Sequence, residues 1–565
     1  MPTDSLFPVT LNDLIDRSCE RFGIAPAVGF AFQAPMPYRQ FHEHVLRTAA
    51  MLKERGVKKG DRVAILAENS PQWGIAYFGI IRLGGVAVPI LPDFPESDVK
   101  HILADADARL LFTSQRQLEK LYELQGHKPK GIITLDDATD KNRLLATEPF
   151  SAFLAPAAAL PEKKRLHLTA SLTGDDLASI IYTSGTSGHS KAVMLTHGNF
   201  LSNVRSAKGI LDTSDLTGWT FLSILPMSHA YEFTSSFLLP LAEGARIVYA
   251  GKTPTPSILE KICQAEKPTI LCVVPMVMEK IYKKRALPAI GGSTLLRAGM
   301  RVPFARKAIL RLIGRRLCAF FGSHLKFVAI GGAALNPEVE KFLAAARFPY
   351  LCGYGLTEAS PLVSAGPWGN PTVALGSSGK PVSEVEVRIT KINQETGIGE
   401  IEVRGPNVMR GYYKNQTATD EAIDQEGWLA TGDLGYLDAQ NNLYIEGRSK
   451  SVIILSHGEN IYPEAIEEKI NAYAAVIESL VIESNDRLEA RAYLDYELID
   501  GETKGQSQQQ KREYIDALLR RIQREINDQL PRYSQIHRML ERQEPFIKTA
   551  THKIKRYLYT LGQEE

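Results

Sequence analysis

The chain has 565 residues, 44% of them hydrophobic and 23% charged, and its 66 Lys and Arg nearly balance 64 Asp and Glu to leave a formal charge of +2. The length corresponds to roughly four units of about 150 residues, and the balanced charge offers no global field for nucleic acid, so no nucleic-acid partner is expected. Cys19, Cys263, Cys272, Cys318 and Cys352 are scattered without a CxxC pair, which argues against a disulfide framework or structural zinc and for a reducing, cytoplasmic compartment.

The opening stretch MPTDSLFPVTLNDLIDRS lacks the basic flank and apolar core of a signal peptide. No apolar run approaches the ~18 residues of a membrane span. A soluble or peripheral protein, at most resting on the inner face of a membrane, is expected. Along the first 180 residues, amphipathic FHEHVLRTAAMLKERG, strand-like DRVAILAEN and the helix-to-strand run IAYFGIIRLGGVAVPIL alternate. That rhythm predicts layered α/β structure with parallel strands. Trp73 and Asp61 read as scaffold.

Next comes Ile181-Tyr182-Thr183-Ser184-Gly185-Thr186-Ser187-Gly188-His189-Ser190-Lys191, an apolar strand running into hydroxyls, two glycines and a cation. Glycines can turn N–H groups toward an anion, hydroxyls donate further, and Lys191 adds charge, so the loop is suited to a polyphosphate. Its spacing is not that of a P-loop, because Gly185 and Gly188 lie three apart and Ala192 follows Lys191. Further apolar runs, ILCVVP, LKFVAIGG and FPYLCGYG, each end in a Gly or Pro turn, where open α/β sheets bind ligands. From about residue 383 to 446 short alternating strands predict a β-rich subdomain, and after Gly447 to Lys450 a new unit begins with SVIIL and the helix PEAIEEKI. The polar run 501–513 reads as an exposed loop entering a helix.

Read together, YTSGTSGHSKAVMLTHGN, Gly331-Gly332-Ala333, Cys352-Gly353-Tyr354-Gly355-Leu356-Thr357-Glu358, Thr431-Gly432-Asp433, Arg448 and the C-terminal FIKTATHKIKR resemble the adenylate-forming superfamily, with its long-chain fatty acid–CoA ligases and acyl-carrier-protein synthetases. The resemblance implies a large α/β adenylation domain over residues 1–446, a hinge at 447–450 and a small mobile α+β domain over 451–565. It further implies that Thr183, Ser184, Gly185, Thr186, Ser187, Gly188 and Lys191 hold ATP phosphates. Gly332, Ala333, Gly353, Tyr354 and Gly355 would border adenine, and Asp433, Arg448 and Lys450 would serve the ribose side and the hinge. Thr357 would contact the α-phosphate, while Thr183 and Glu358 would hold Mg2+. Lys553 would be the catalytic lysine at the α-phosphate, a cation that stabilises charge gained in the transition state. Gly458 would face the thiol in the second half-reaction. His552 stands where the family usually has Gly.

The segment Leu225 to Glu232 resembles the LPLSHxxE segment of long-chain members, and implies that His229 and Gly332 line the acyl pocket. Arg301, Arg306, Lys307, Arg311, Arg315 and Arg316, interleaved with Phe304, Leu310 and Ile313, predict a basic amphipathic helix. Such a helix suits an anionic membrane, an acidic carrier protein or plain solvent. The implied reaction joins a long-chain fatty acid to coenzyme A at the expense of ATP, through acyl-AMP. Transfer to acyl carrier protein, and a silent nucleotide- or acyl-binding protein, stay open as alternatives. Chain length and oligomeric state are not legible.

Overall fold

The computed structural model describes residues 8–124, 128–159, 168, 170–183, 191–211, 216–252, 254–291, 294–366, 374–455, 460–549 and 553–560. Two large sheets carry most of the chain. In one, the parallel strands Pro26–Phe30, Arg246–Tyr249, Thr220–Ser223, Ile270–Val273, Phe327–Ile330 and Tyr350–Gly355 stand side by side in that order. The other sets Val86–Pro89 between Arg62–Leu66 and Leu177–Thr183, with Lys191–Thr196 returning antiparallel beside the last. Their strands are short unbroken apolar runs because both faces are covered by helices, as parallel sheets require. The α/β expectation is therefore met.

The helix Pro71–Arg82 illustrates the covering layer. Ser70 caps it through the Trp73 amide, Pro71 opens it, and almost every residue is buried. Trp73 is wholly enclosed and stacks on Tyr77, so it belongs to the scaffold. Asp61 likewise accepts from the Lys58 amide and faces Arg109.

The antiparallel strands Glu386–Thr390, Gly399–Arg404, Leu429–Leu437 and Leu443–Arg448 form a small sheet with its own core around Val385, Ile401, Val403 and Leu443. Beyond it, Val476–Ser484, Arg487–Leu494 and Ile536–Arg542 make a three-stranded sheet backed by the helices Pro463–Asn471 and Gln508–Asn527, again with a separate core.

Local structure departs from what residue composition alone suggests at three places. Thr431-Gly432-Asp433 sits inside a continuous strand, kinked where Gly432 takes φ +71°, because the cross-strand ladder overrides the local turn preference. The SVIIL run yields only the two-residue strand Ile453–Ile454. The polar run at 501–513 is the expected exposed stretch entering a helix, but its loop is confined to residues 503–507, since Gly501 and Glu502 end the helix Tyr496–Glu502 and a Ser507 capping box starts the next at Gln508. Side-chain caps at Asp495 and Ser507 supply the start signals that bulk polarity hides. All five cysteines are free.

Candidate nucleotide and acyl site

The strand ends converge on a cavity of about 2060 Å³, bounded by both large sheets, the small β-sheet and the C-terminal unit. Its walls include Thr183, Lys191, His229, Gly332, Ala333 and Gly353, together with Tyr354, Gly355, Thr357 and Glu358 from the following turn. Gly432, Arg448, Lys450 and Lys553 complete it. Ser184 to Ser190, Gly458 and His552 lie outside the described residues, so their expected roles have no geometry here.

Where the resemblance implies the ribose, the antiparallel hairpin pairs Asp433 directly with Arg448. That register explains the fifteen-residue spacing between them. Arg448 Nε lies 3.1 Å from Asp433 Oδ1 and the Tyr354 hydroxyl donates to Oδ2 at 2.6 Å. Burial, reinforced by the Asp433 charge, holds the Tyr354 phenol well above its ordinary pKa, so it remains a donor. Each carboxylate oxygen retains a further lone pair, which suits a vicinal diol.

The two glycines flanking Tyr354 answer to packing. A Cβ on Gly355 would lie 2.0 Å from the Pro361 carbonyl oxygen, and one on Gly353 3.3 Å from that of Ser364. Gly332 differs: it has φ +86° and nothing nearer than 3.7 Å, so its role is backbone shape at the cavity wall.

Where the resemblance implies the phosphates, Glu358 Oε1 accepts from the Tyr412 hydroxyl at 3.0 Å, and Lys191 Nζ stands 4.4 Å over the Tyr412 ring. The Thr183 hydroxyl donates to the Lys191 carbonyl at 3.3 Å. Tyr412 thus ties the loop cation to the carboxylate. It comes from the short strand Gly411–Tyr412, which pairs with Lys191–Thr196, and sequence reasoning missed it. The aromatic pair Tyr412-Tyr413 next to a glycine was the available signal. Among the described residues no cluster of three or more His, Cys, Asp or Glu could hold a metal. The Glu358 carboxylate and the Thr183 hydroxyl, both on the cavity wall, are nevertheless oxygen donors of the kind that fits Mg2+, which takes most of its oxygens from phosphates and water.

Lys553 is exposed along the cavity wall yet surrounded by protein. Burial, then Arg448, lowers its pKa, while Asp433 and Glu358 act the other way. Its segment is anchored on both sides: Lys548 pairs with Glu478, and Arg556 with Glu467 and Glu464. The Lys553 amide donates to Thr549 Oγ1 at 3.2 Å. The C-terminal basic run is therefore no uniform solvated face, because its ends are fixed in ion pairs and its middle lysine enters the cavity.

Where the resemblance implies the acyl pocket, His229 starts a short helix, its Nδ1 accepting from the Tyr231 amide at 3.3 Å. Protein surrounds it on all sides but the cavity, and burial together with the Lys553 cation lowers its pKa to about 4, so the imidazole is neutral. Apolar walls continue through Leu225, Leu259, Ile270 and Val274. Met276 also lines the cavity but stays 40% exposed, so it forms a rim more than a floor.

Layered α/β sheets that share one cavity with a lysine brought in from a separate C-terminal unit define the adenylate-forming class of fold. The chain belongs to the AMP-binding enzyme family: that family's pattern matches residues 15–413, and its C-terminal domain pattern matches residues 450–560. A long-chain-fatty-acid–CoA ligase, FadD15, of Mycobacterium bovis is 31% identical over 77% of this chain and 73% of its own length. The Bos taurus long-chain-fatty-acid–CoA ligase ACSBG1 is 28% identical over 86% of this chain and 70% of its own. The crystal structure of the anthranilate CoA ligase AuaEII in complex with anthranoyl-AMP superposes with a TM-score of 0.76 at 22% identity, covering 98% of each chain.

Proposed function

We propose that this protein is a long-chain fatty acid–CoA ligase that forms acyl-AMP and pyrophosphate from a fatty acid and ATP, then passes the acyl group to the thiol of coenzyme A. The observation that carries this reading is the convergence of Lys553, Glu358, Arg448 and His229 on one large cavity with a long apolar wall. In the first step a carboxylate oxygen of the fatty acid forms a bond to the α-phosphorus as the bond to the pyrophosphate oxygen breaks. Lys553 stabilises the charge that builds on the phosphoryl oxygens and Thr357 donates to the same group. Asp433 takes the ribose hydroxyls and Tyr354 presents its ring to adenine. Thr183 and Glu358 would hold Mg2+, which neutralises phosphate charge when bound. Lys191 and the hydroxyls and amides of residues 184–188 hold the departing β- and γ-phosphates.

A neutral His229 lines the fatty acyl chain without adding a cation to an apolar pocket. In the second step the thiolate attacks the acyl carbonyl carbon and AMP leaves with the bonding pair. We assign residues 447–450 as the hinge on which the C-terminal unit, 451–565, withdraws Lys553 and brings Gly458 to the thiol. The resemblance at Leu225 to Glu232 and the relatives' names support the long-chain assignment.

The test is exchange of labelled pyrophosphate into ATP with acids of increasing length, followed by coenzyme A and acyl carrier protein offered in parallel. Exchange that rises with chain length and thioester on coenzyme A are expected. ATP binding without acid-dependent exchange would leave only a silent binding protein, and transfer to carrier protein alone would replace the acceptor.

A further inference from the structure

Between Glu279 and Glu338 the chain contains no Asp or Glu over fifty-eight residues, yet carries twelve Lys or Arg. In a protein of net charge +2 this concentrates the positive charge on one stretch. Lys284 and Arg285 face Glu497 and Glu260, but from Arg297 to Lys326 none of the cations has an ion pair among the described residues. The helix Pro303–Phe320 lies at the middle of this stretch.

Leu310, Ile313 and Leu317 bury its inner face. Its outer face mixes cations with apolar groups left in water: Phe304 is 86% exposed, Val302 just before the helix 54% and Leu312 48%. Two features of this arrangement cost folding stability. Arg306 and Lys307 sit at the positive end of the helix dipole with no acid in the first turn. Lys307, Arg311 and Arg315 recur every four residues, so like charges repel along one stripe. An anionic surface laid on the helix would offset both. Arg306, Lys307 and Arg311 also meet Arg347, from beyond the next helix, around a shallow depression of about 320 Å³ beside Pro303. The Arg311 Nε there is buried without a partner.

We propose that this face is a docking surface for an anionic phospholipid bilayer, with the depression taking a headgroup phosphate and Phe304 entering the acyl boundary. Charge alone would also suit an acidic protein. The exposed aromatic at the helix start, followed by long cationic side chains spread round the outer face, is the pattern of an interfacial helix, whose aromatic enters the bilayer while the cations remain with the headgroups. Among the described residues no helix is long and apolar enough to cross a membrane, so the contact is peripheral. The proposal deepens the fatty acid reading by naming where that substrate is met.

Sedimentation of the full chain with vesicles of phosphatidylcholine, with and without about one-third phosphatidylglycerol, tests it. No ATP or fatty acid is present, so failure here leaves the adenylation reading standing, and the converse holds. Binding is expected only to the anionic vesicles, with loss as salt is raised. The triple variant R306Q/K307Q/R311Q should partition roughly a hundred-fold more weakly. F304S should weaken binding several-fold, in a manner salt does not abolish, while R520Q/R521Q/R524Q on another exposed helix should bind like the parent. Pyrophosphate exchange with a short soluble acid should be unchanged in all of them, which verifies folding. Equal binding to both vesicles, no binding, or equal loss in the two triple variants would overturn the proposal. So would retention of an acidic carrier protein through these cations by a chain that ignores vesicles.

Discussion

The Lys283 ammonium donates to the Val476 carbonyl at 2.9 Å, and the same nitrogen reaches the carbonyls of Asn471 at 3.1 Å and Tyr473 at 3.3 Å. Lys283 belongs to a π-turn, Tyr282–Ala286, on the large unit, whereas its acceptors close the helix Pro463–Asn471 and start the next strand of the C-terminal unit. A cation is favourable at a helix C-terminus, and hydrogen bonds from a charged donor contribute about 1.5–3 kcal/mol each at most. This contact holds the C-terminal unit in the orientation that puts Lys553 in the cavity. Lys283→Met should therefore slow acid-dependent pyrophosphate exchange by roughly ten- to a hundred-fold and leave thioester formation from supplied acyl-AMP near the parent rate. Lys283→Arg should recover part of the loss. Equal slowing of both half-reactions would mean that Lys283 only supports folding.

Lys553→Ala addresses the cation itself. Loss of one fixed charge at the phosphoryl oxygens should cost adenylation roughly a hundred- to a thousand-fold, and the thioester step from supplied acyl-AMP far less. The two half-reactions are assayed separately on the same preparation, and equal losses would contradict the domain exchange.

How far the site was legible from sequence depended on whether its residues are neighbours along the chain. The Gly353 to Glu358 turn could be read as a unit because one strand end delivers it. Asp433 and Arg448 could be linked because a hairpin turns their spacing into a cross-strand pair. Tyr412 and Lys283 could not, since each acts on a partner far away in sequence: Tyr412 on Glu358 and Lys283 on the carbonyls after Asn471. Gly355 was legible as a cavity glycine, but a packing reason for it was not, because the Pro361 carbonyl that excludes a side chain there is brought over it only by the turn that leads into the strand Leu362–Ala365.

Tyr412 gives a graded test of the phosphate side. Tyr412→Phe removes the hydroxyl that Glu358 accepts from but retains the ring under Lys191. Adenylation should fall about three- to tenfold, as for one lost hydrogen bond, with more Mg2+ required for half-maximal rate. Tyr412→Ala also removes the ring and should fall further, through a rise in the KM for ATP. Identical behaviour of the two variants in an Mg2+ titration would sever the link between Lys191 and Glu358.

Two glycines should respond to alanine for different reasons. In Gly355→Ala the added carbon meets backbone at 2.0 Å, which must shift a strand. Overpacking of that kind costs about 1–3 kcal/mol, and should appear as a lower Tm before any assay of activity. Gly332→Ala has room but keeps φ +86°, so it carries only the left-handed penalty of about 1–2 kcal/mol. It should fold and show its effect in the rate with long acids. If Gly332→Ala proved the less stable of the two, the space seen around that position would be wrong.

Glu232 makes stability depend on pH. It is fully buried at the head of the π-turn Phe233–Leu238, and neither carboxylate oxygen has a well-aligned partner. The Ser223 and Ser236 hydroxyls and the Ile224 and Leu225 amides lie near enough to offset part of the burial, which still raises its pKa from 4.5 to about 8. A raised folded-state pKa means that the folded form holds a proton the unfolded chain has released. The associated stability is complete below about pH 4.5 and is lost as pH rises through about 8. His229 and His197, both lowered to about 4, act with the opposite sign over a lower, overlapping window: the stability associated with their neutral forms is present above about 6.5 and is lost as pH falls toward 4, equally in parent and variant. Glu232→Gln mimics the protonated acid at every pH. Urea melts should then show the parent losing stability between pH 5.5 and 7.5 relative to the variant, on the order of a few kcal/mol. Parallel curves for the two proteins across that window would mean that Glu232 is ionised in the fold and has found a partner for its charge.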